Sequence, residues 1–166
     1  ASCDGNAPAE RKLAAFRQVA LATGLEGMLV GQMADVTAEE QPKNIDDLAW
    51  IDRYKTGALF ISALTSAALL AGATTEELQA LTSYGRYFGV AFQIVDDILD
   101  VTGDAVQVGK PIGSDEKNGK VTYVSLLGLP AARQAADQAT AKAIAALSPL
   151  KEKGNLLASM AQFLLT

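Results

Sequence analysis

Three aspartates in one apolar segment are the first residues of this sequence whose spacing could support chemistry. Asp96, Asp97 and Asp100 lie in the segment FQIVDDILD, residues 92–100. Residues four apart share a helix face, so Asp96 stacks on Asp100, and Asp104 could continue the row. Carboxylates beside a core attract a cation, and Mg²⁺ joins such oxygen ligands to phosphates. A helix end whose acids face water is the alternative, and this motif alone does not decide.

A segment rich in glycine and lysine follows the acids. Residues 109–120 read GKPIGSDEKNGK. Glycines let the backbone approach a ligand closely, and Lys110 supplies a positive charge suited to phosphate. The pattern of a nucleotide-binding P-loop is not met, because five residues separate Gly113 from Gly119 and Val121 follows the lysine. The segment is therefore either a phosphate-binding loop of another kind or a solvated linker.

Polar residues also interrupt two apolar segments nearer the amino end. Lys55 and Thr56 break one of them, and Gln32 and Asp35 break the other. A lysine in such a place could extend to the surface, or it could point toward an anion that the acids hold. Together with the acids these residues form a set with carboxylates for a metal and with cations and amides for phosphate.

Helices must position these side chains. Hydrophobic residues make up 49% of the 166 residues and aromatic residues only 6%. Alanine and leucine are abundant, which favours helices over sheets. The sequence therefore predicts an all-α helical bundle, a single domain over residues 1–166, with one long polar Gly/Lys loop at residues 103–123.

Capping residues and helix breakers predict where the helices lie. One helix runs from Ala9 until Gly24 stops it, and another spans residues 25–36. A third helix begins at the cap residue Asn44 and runs toward Gly72. A fourth begins with a capping box at Thr74–Glu77 and ends near Gly103. Short Ala-rich helices, separated by Pro130 and Pro149, finish the chain.

The charge balance and the rare residue types limit the function. A net charge of −5 gives no electrostatic support for nucleic-acid binding. The sequence contains no histidine and a single cysteine, Cys3, so we expect no histidine chemistry within this chain and a cytoplasmic location. Residues 56–75 carry no charge and could span a bilayer. Their content of Ala, Gly, Ser and Thr favours a buried central helix, and we expect no membrane span.

In this order, four segments resemble the trans-isoprenyl diphosphate synthases, such as the bacterial farnesyl and geranylgeranyl diphosphate synthases. The matching segments are Gly31-Gln32-x-x-Asp35, Tyr54-Lys55-Thr56-Gly57, Phe92-Gln93-x-x-Asp96-Asp97-x-x-Asp100, and Gly109-Lys110 through Asp115 with Lys120-x-Thr122-Tyr123. They span most of the chain, which makes a chance match improbable. The third of them resembles the second aspartate-rich motif of the family.

The resemblance implies a role for each matched residue. Asp96 and Asp100 would bind Mg²⁺ held by an allylic diphosphate, with Asp97 in support. Lys55 and Lys110 would contact that diphosphate, and together with Asp96 they would be the catalytic residues. The remaining implied substrate-binding residues are Gln32, Thr56, Phe92 and Gln93. The implied reaction is the attack of isopentenyl diphosphate on an allylic cation, with Mg²⁺ as the cofactor and without a covalent protein intermediate.

One part of the family pattern has no counterpart in the sequence. Family members carry an earlier aspartate-rich motif, followed by arginines, and a Gly-Lys-Arg segment. We therefore expect the chain to be the carboxyl-terminal half of a synthase, inactive alone, that forms a homodimer or associates with an amino-terminal half. A non-catalytic partner subunit is the alternative. A terpene cyclase would show a different second motif, which the sequence does not contain.

Overall fold

The computed structural model describes residues 7–37, 42, 44–103, 115 and 119–166. Most of the predicted Gly/Lys loop, including Lys110, lies outside the described residues, as does Asp104. All regular secondary structure in the described ranges is helical, and the prediction of an all-α bundle is confirmed.

Most of the helices follow one another closely along the chain. In chain order the α-helices are α1 (Ala9–Thr23), α2 (Met28–Val36), α3 (Ile45–Asp52), α4 (Ala58–Ala71), α5 (Thr75–Thr102), α6 (Tyr123–Leu127), α7 (Leu129–Ala146) and α8 (Asn155–Phe163). A π-helical turn, Arg53–Gly57, joins α3 to α4, and a 3₁₀ segment, Ser148–Gly154, joins α7 to α8. The longer connections are residues 37–44, which separate α2 from α3, and residues 103–122, which separate α5 from α6.

Local side-chain chemistry sets several helix ends as predicted. The Asn44 side chain accepts a hydrogen bond from the Asp47 backbone N–H and caps α3. Thr74 and Glu77 form the predicted capping box at the start of α5. Gly72 ends α4 with a φ of 80°, a left-handed conformation that glycine adopts without strain.

Helix α5 is the centre of the structure. It packs against α7 and against α4, and α1 covers α4. One core cluster surrounds Tyr84 and Phe88 of α5, and a second surrounds Ile94 and Ile98 with Tyr123 of α6. The second cluster lies behind the segment that carries the three aspartates, so the core supports the candidate site directly.

Three sequence predictions of helix extent need correction. Helix α2 begins at Met28 instead of residue 25. The helix predicted from Asn44 to Gly72 is divided by the π turn. The predicted short Ala-rich helices include α7, which has 18 residues, because Pro130 lies in its first turn, where proline is tolerated.

The expectation of a buried central helix holds on one face of α4 only. Ser62, Thr65 and Ala68 are buried, whereas Leu59 and Leu70 are exposed. Two helical stretches, Ala9–Val36 and Ile45–Ala71, are long and apolar enough to cross a membrane. In the most apolar 18 residues of each stretch, 17% and 22% of the residues are buried. Core helices of soluble proteins can have the same length and apolar composition, so the absence of a membrane span stays a prediction.

Candidate active site

The π turn carries the candidate phosphate-binding lysine. A π turn adds one residue to a helical turn and often occurs at functional sites. Here the Lys55 ammonium donates a hydrogen bond of 2.5 Å to Asp35 of α2 in a half-buried ion pair. The backbone of α2 approaches the turn closely, because a Cβ atom added to Gly31 would lie 2.2 Å from the Lys55 backbone nitrogen. Glycine at position 31 therefore permits the contact that brings Asp35 to Lys55.

The other side of the π turn meets α5. The Thr56 hydroxyl donates a 2.9 Å hydrogen bond to the side-chain oxygen of Gln93. Close contact is again possible through glycine, because a Cβ on Gly89 would lie 3.2 Å from the Gly57 Cα. The lysine turn is thus attached to the helix of the three aspartates, one turn before Asp96.

Phe92 and Asp96 border an apolar cavity between α5, α7 and the last residues of the chain. The cavity has a volume of about 560 Å³, and Val95, Leu99 and Phe163 also line it. The Phe92 ring lies 5.4 Å from the Phe60 ring in an edge-on contact. Asp96 is half-buried, so this carboxylate lies where an apolar space opens to solvent.

Asp97 and Asp100 lie on the inner side of α5. Both are almost fully buried, with 3% and 2% of their surface exposed. Asp97 accepts a 2.8 Å hydrogen bond from the backbone N–H of Tyr123, and Asp100 accepts one of 3.2 Å from Asp115. Both line a second cavity, of about 580 Å³, together with Lys120. The three aspartates therefore border two different spaces.

Burial perturbs the charges around these acids. Burial raises the pKa of Asp97 to about 6, against a backbone hydrogen bond from Tyr123 and the charge of Lys120, both of which lower it. Burial also lowers the pKa of Lys120, but the carboxylates of Asp115, Asp97, Asp35 and Asp52 outweigh it, and the net pKa is raised. The centre of the site is thus rich in carboxylates, and its electrostatics favour an added cation.

Asp52 is a buried acid that the sequence motifs did not single out. Burial and the charge of Asp97 raise its pKa to about 7, while Lys120 lowers it. The sequence signal was an acid at the end of an apolar helix face that also carries Leu48 and Ile51. An acid on such a face needs a partner, which the sequence alone does not identify.

The donor set fits magnesium in one respect. Its available ligands are carboxylate oxygens, which Mg²⁺ prefers, and Mg²⁺ commonly takes only one or two carboxylates besides phosphate and water. Within the described ranges no group of three metal-ligating side chains could hold a metal ion by itself.

The structure brings most of the predicted site residues to neighbouring elements. Lys55, Thr56, Gln93 and Asp96 lie on the π turn and the adjoining part of α5. Gln32 lies exposed on α2, three residues before Asp35, and makes no described hydrogen bond to this group. The role predicted for Lys110 falls outside the described residues.

Comparison with known proteins identifies the family. A family model described as polyprenyl synthetase matches residues 11–159. The chain belongs to the polyprenyl synthetase family. It is 43% identical, over 161 residues, to a dimethylallyltranstransferase of Fischerella ambigua (strain UTEX 1903), and the match covers 96% of this chain and 46% of that protein.

Solved structures of other polyprenyl synthetases have the same fold. The chain superposes on a FPP/GFPP synthase from Zymomonas mobilis with a TM-score of 0.80 and 33% identity, over 95% of this chain and 52% of that one. A geranyltransferase from Helicobacter pylori, solved with magnesium and isoprenyl diphosphate, gives a TM-score of 0.80 and 29% identity, over 98% and 53% of the two chains. The chain spans about half the length of the curated relatives that it matches.

Proposed function

We propose that this chain supplies the second aspartate-rich half of a prenyltransferase site, where isopentenyl diphosphate condenses with an allylic diphosphate. The observation that carries the proposal is the hydrogen bond between Thr56 and Gln93. It attaches the turn of Lys55 to α5, whose Asp96 carboxylate borders an apolar cavity, so that a cation and a carboxylate lie on joined elements. That combination suits a ligand with a charged diphosphate and an apolar tail.

The proposed roles of the polar residues follow from their charges. Lys55, together with Lys110, contacts the allylic diphosphate and stabilises the negative charge that grows as pyrophosphate leaves. The groups proposed to lie beside the substrate are Gln32, Thr56, Phe92 and Gln93. The ion pair with Asp35 holds Lys55 in place before the substrate arrives.

Asp96 and Asp100, with Asp97 in support, are the proposed magnesium ligands. When bound, magnesium offsets negative charge on the diphosphate. Asp96 lies at the rim of the apolar cavity, where it could reach a metal shared with the substrate. The apolar walls would exclude water, which would otherwise capture the allylic cation.

The proposed activity requires more than this chain. The relatives are about twice as long. We expect the chain to form a homodimer or to associate with an amino-terminal half, and we expect catalysis only in the second of these assemblies. The half-length match also supports a second candidate function, that of a non-catalytic subunit which completes or regulates a partner synthase.

Calorimetry with pyrophosphate tests the proposed site without requiring turnover. We expect binding that needs Mg²⁺ and that Asp96→Asn or Lys110→Ala weakens strongly. Asp46→Asn serves as the matched control, because Asp46 is an exposed acid in the first turn of α3. Binding that survives chelation of the metal and both site substitutions would refute these assignments.

A further inference from the structure

The Asp52 carboxyl is a buried group for which the proposed reaction has no role. Asp52 is the last residue of α3 and lies three residues before Lys55. Only 6% of its surface is exposed. Leu48, one helical turn earlier on the same face, belongs to the core cluster that contains Tyr123. The face of α3 that carries Asp52 is therefore directed toward α6 and α5, against which α3 packs.

Tyr123 is the neighbour that this carboxyl meets. The phenol is buried, and its hydroxyl makes no hydrogen bond of standard geometry to the described residues. Burial and then the charge of the Asp52 carboxylate raise the pKa of Tyr123. Burial and the charge of Asp97 raise the pKa of Asp52, and the interaction with Tyr123 offsets part of that rise. The carboxyl and the phenol therefore lie at the same contact, where α3 packs against α6, close enough for their charges to interact. Among the described residues the phenol hydroxyl has no other hydrogen-bond partner, and an unpaired buried polar group is costly. The Asp52 carboxylate also interacts with the charges of Lys120 and Lys55.

The backbone of Tyr123 continues the connection to the aspartate helix. Its N–H donates the 2.8 Å hydrogen bond to Asp97, the residue next to Asp96. One residue of α6 therefore contacts the end of α3 through its side chain and α5 through its main chain. The connection runs from Asp52 through Tyr123 to Asp97. Lys55 lies three residues after Asp52, and Asp96 is the neighbour of Asp97.

We propose that Asp52 is a positioning residue which, through Tyr123, fixes the turn of Lys55 relative to the helix of Asp96. This inference rests on the proposed function, in which these two residues act on one diphosphate. A shift of either element would separate the phosphate-binding cation from the metal-binding carboxylate. Residues that orient a metal site from behind commonly change affinity about 10–100-fold when they are replaced.

Lys120 influences the choice of substitutions. Its ammonium interacts with both Asp52 and Asp97, so removing the Asp52 charge also changes the surroundings of Lys120. Tyr123→Phe removes only the hydroxyl and leaves every charge in place. Asp52→Asn keeps an oxygen that can accept from Tyr123, whereas Asp52→Ala removes it. The three variants together separate the charge from the contact.

The experiment measures magnesium-dependent pyrophosphate affinity by calorimetry. We expect Asp52→Ala and Tyr123→Phe each to weaken binding about tenfold, the double variant to bind no more weakly than either one, and Asp52→Asn to bind nearly as wild type does. Tyr84→Phe is the control, because Tyr84 is an equally buried tyrosine whose hydroxyl donates to the Leu157 carbonyl, away from this connection. It should lower the melting temperature without changing the affinity.

A second measurement needs no ligand and separates this inference from the proposed function. Hydrogen exchange of the Tyr123 amide reports its bond to Asp97. We expect Asp52→Ala and Tyr123→Phe to accelerate this exchange at least fivefold more than Tyr84→Phe does, as an order-of-magnitude threshold. The positioning role would be overturned if the Tyr123 amide exchanged as slowly in both variants as in wild type. It would also be overturned if the loss of pyrophosphate affinity in the double variant equalled the product of the two single losses. Absence of pyrophosphate binding by wild type would refute the proposed function alone.

Discussion

Thr56 and Gln93 join two motifs that are far apart in the sequence. The hydroxyl of Thr56 donates to the side-chain oxygen of Gln93 over 2.9 Å, in a half-buried position between the π turn and α5. A single side-chain hydrogen bond of this kind adds modestly to stability, but it fixes geometry. Here it determines how the lysine turn lies against the aspartate helix.

Removing the Thr56 hydroxyl should weaken this attachment. We expect Thr56→Val to lower the free energy of unfolding by about 1 kcal/mol, because Gln93 loses its partner in a half-buried site. Thr65→Val is the control, since the Thr65 hydroxyl donates only to Ile61 of its own helix. Urea denaturation measures both changes. Equal losses would show that the contact with Gln93 contributes nothing specific.

The close approach of α2 to the π turn predicts different effects at two glycines. Gly31→Ala should cost about 1–3 kcal/mol, because the new methyl group would meet the Lys55 backbone, and backbone atoms cannot move aside easily. Gly57→Ala should be nearly neutral, since its added Cβ would lie 3.5 Å from the Asp52 carbonyl oxygen. Thermal unfolding of both variants checks the order, and a stable Gly31→Ala protein would contradict the contact.

The raised pKa of Asp52 predicts a pH-dependent stability. With a pKa of about 7 in the folded chain against 3.8 normally, Asp52 takes up a proton on folding between these two pH values. Its contribution to stability is full below about pH 4 and is lost as pH rises through 7. Asp52→Asn should therefore flatten this part of the profile and raise the melting temperature relative to wild type at pH 8.

Melting curves between pH 5 and 8 check this effect. The gain at pH 8 should reach several degrees, since about 1 kcal/mol corresponds to roughly 2–4 °C in a chain of this size. Asp97, with a pKa raised to about 6, should leave part of the pH dependence of stability in the Asp52→Asn variant. Asp46→Asn, at an exposed position, should leave the shape of the profile unchanged. Parallel curves for wild type and Asp52→Asn would contradict the prediction.

The chain alone should not condense isoprenoid diphosphates. One aspartate-rich set can assemble only part of the charge stabilisation around the leaving group, and losing one such element commonly costs about 10²–10³ in rate. A radiolabelled assay with isopentenyl and geranyl diphosphates measures turnover. Activity that appears on mixing with the amino-terminal half of a synthase would support the half-site, and turnover by the pure chain would contradict it.

Much of the helical framework could be predicted from the sequence. The caps at Asn44 and at Thr74–Glu77 depend on groups within one turn of the helix end, so the sequence states them directly. The order of the four polar segments indicated the family, which the comparisons confirmed. The start of α2 was misplaced, because residues 25–27 have no local cap that separates turn from helix.

The relations between distant segments were beyond the sequence. The sequence shows separate polar residues in apolar segments and does not show which of them pair. The fold pairs Lys55 with Asp35 and Thr56 with Gln93. The different environments of Asp96, at a cavity rim, and of Asp97, against α6, also depend on packing. Helical spacing fixes angles around one axis, but it does not say which neighbouring helix covers each angle.

Asp52 shows the same division most clearly. The sequence by itself determined the residue types, the helix on which Asp52 lies and the lysine that follows it. Only the tertiary structure decided that this carboxyl is buried beside Tyr123 and Asp97. The physical reason is that desolvation and charge coupling depend on every atom nearby in space, whereas capping and periodicity depend on neighbours along the chain.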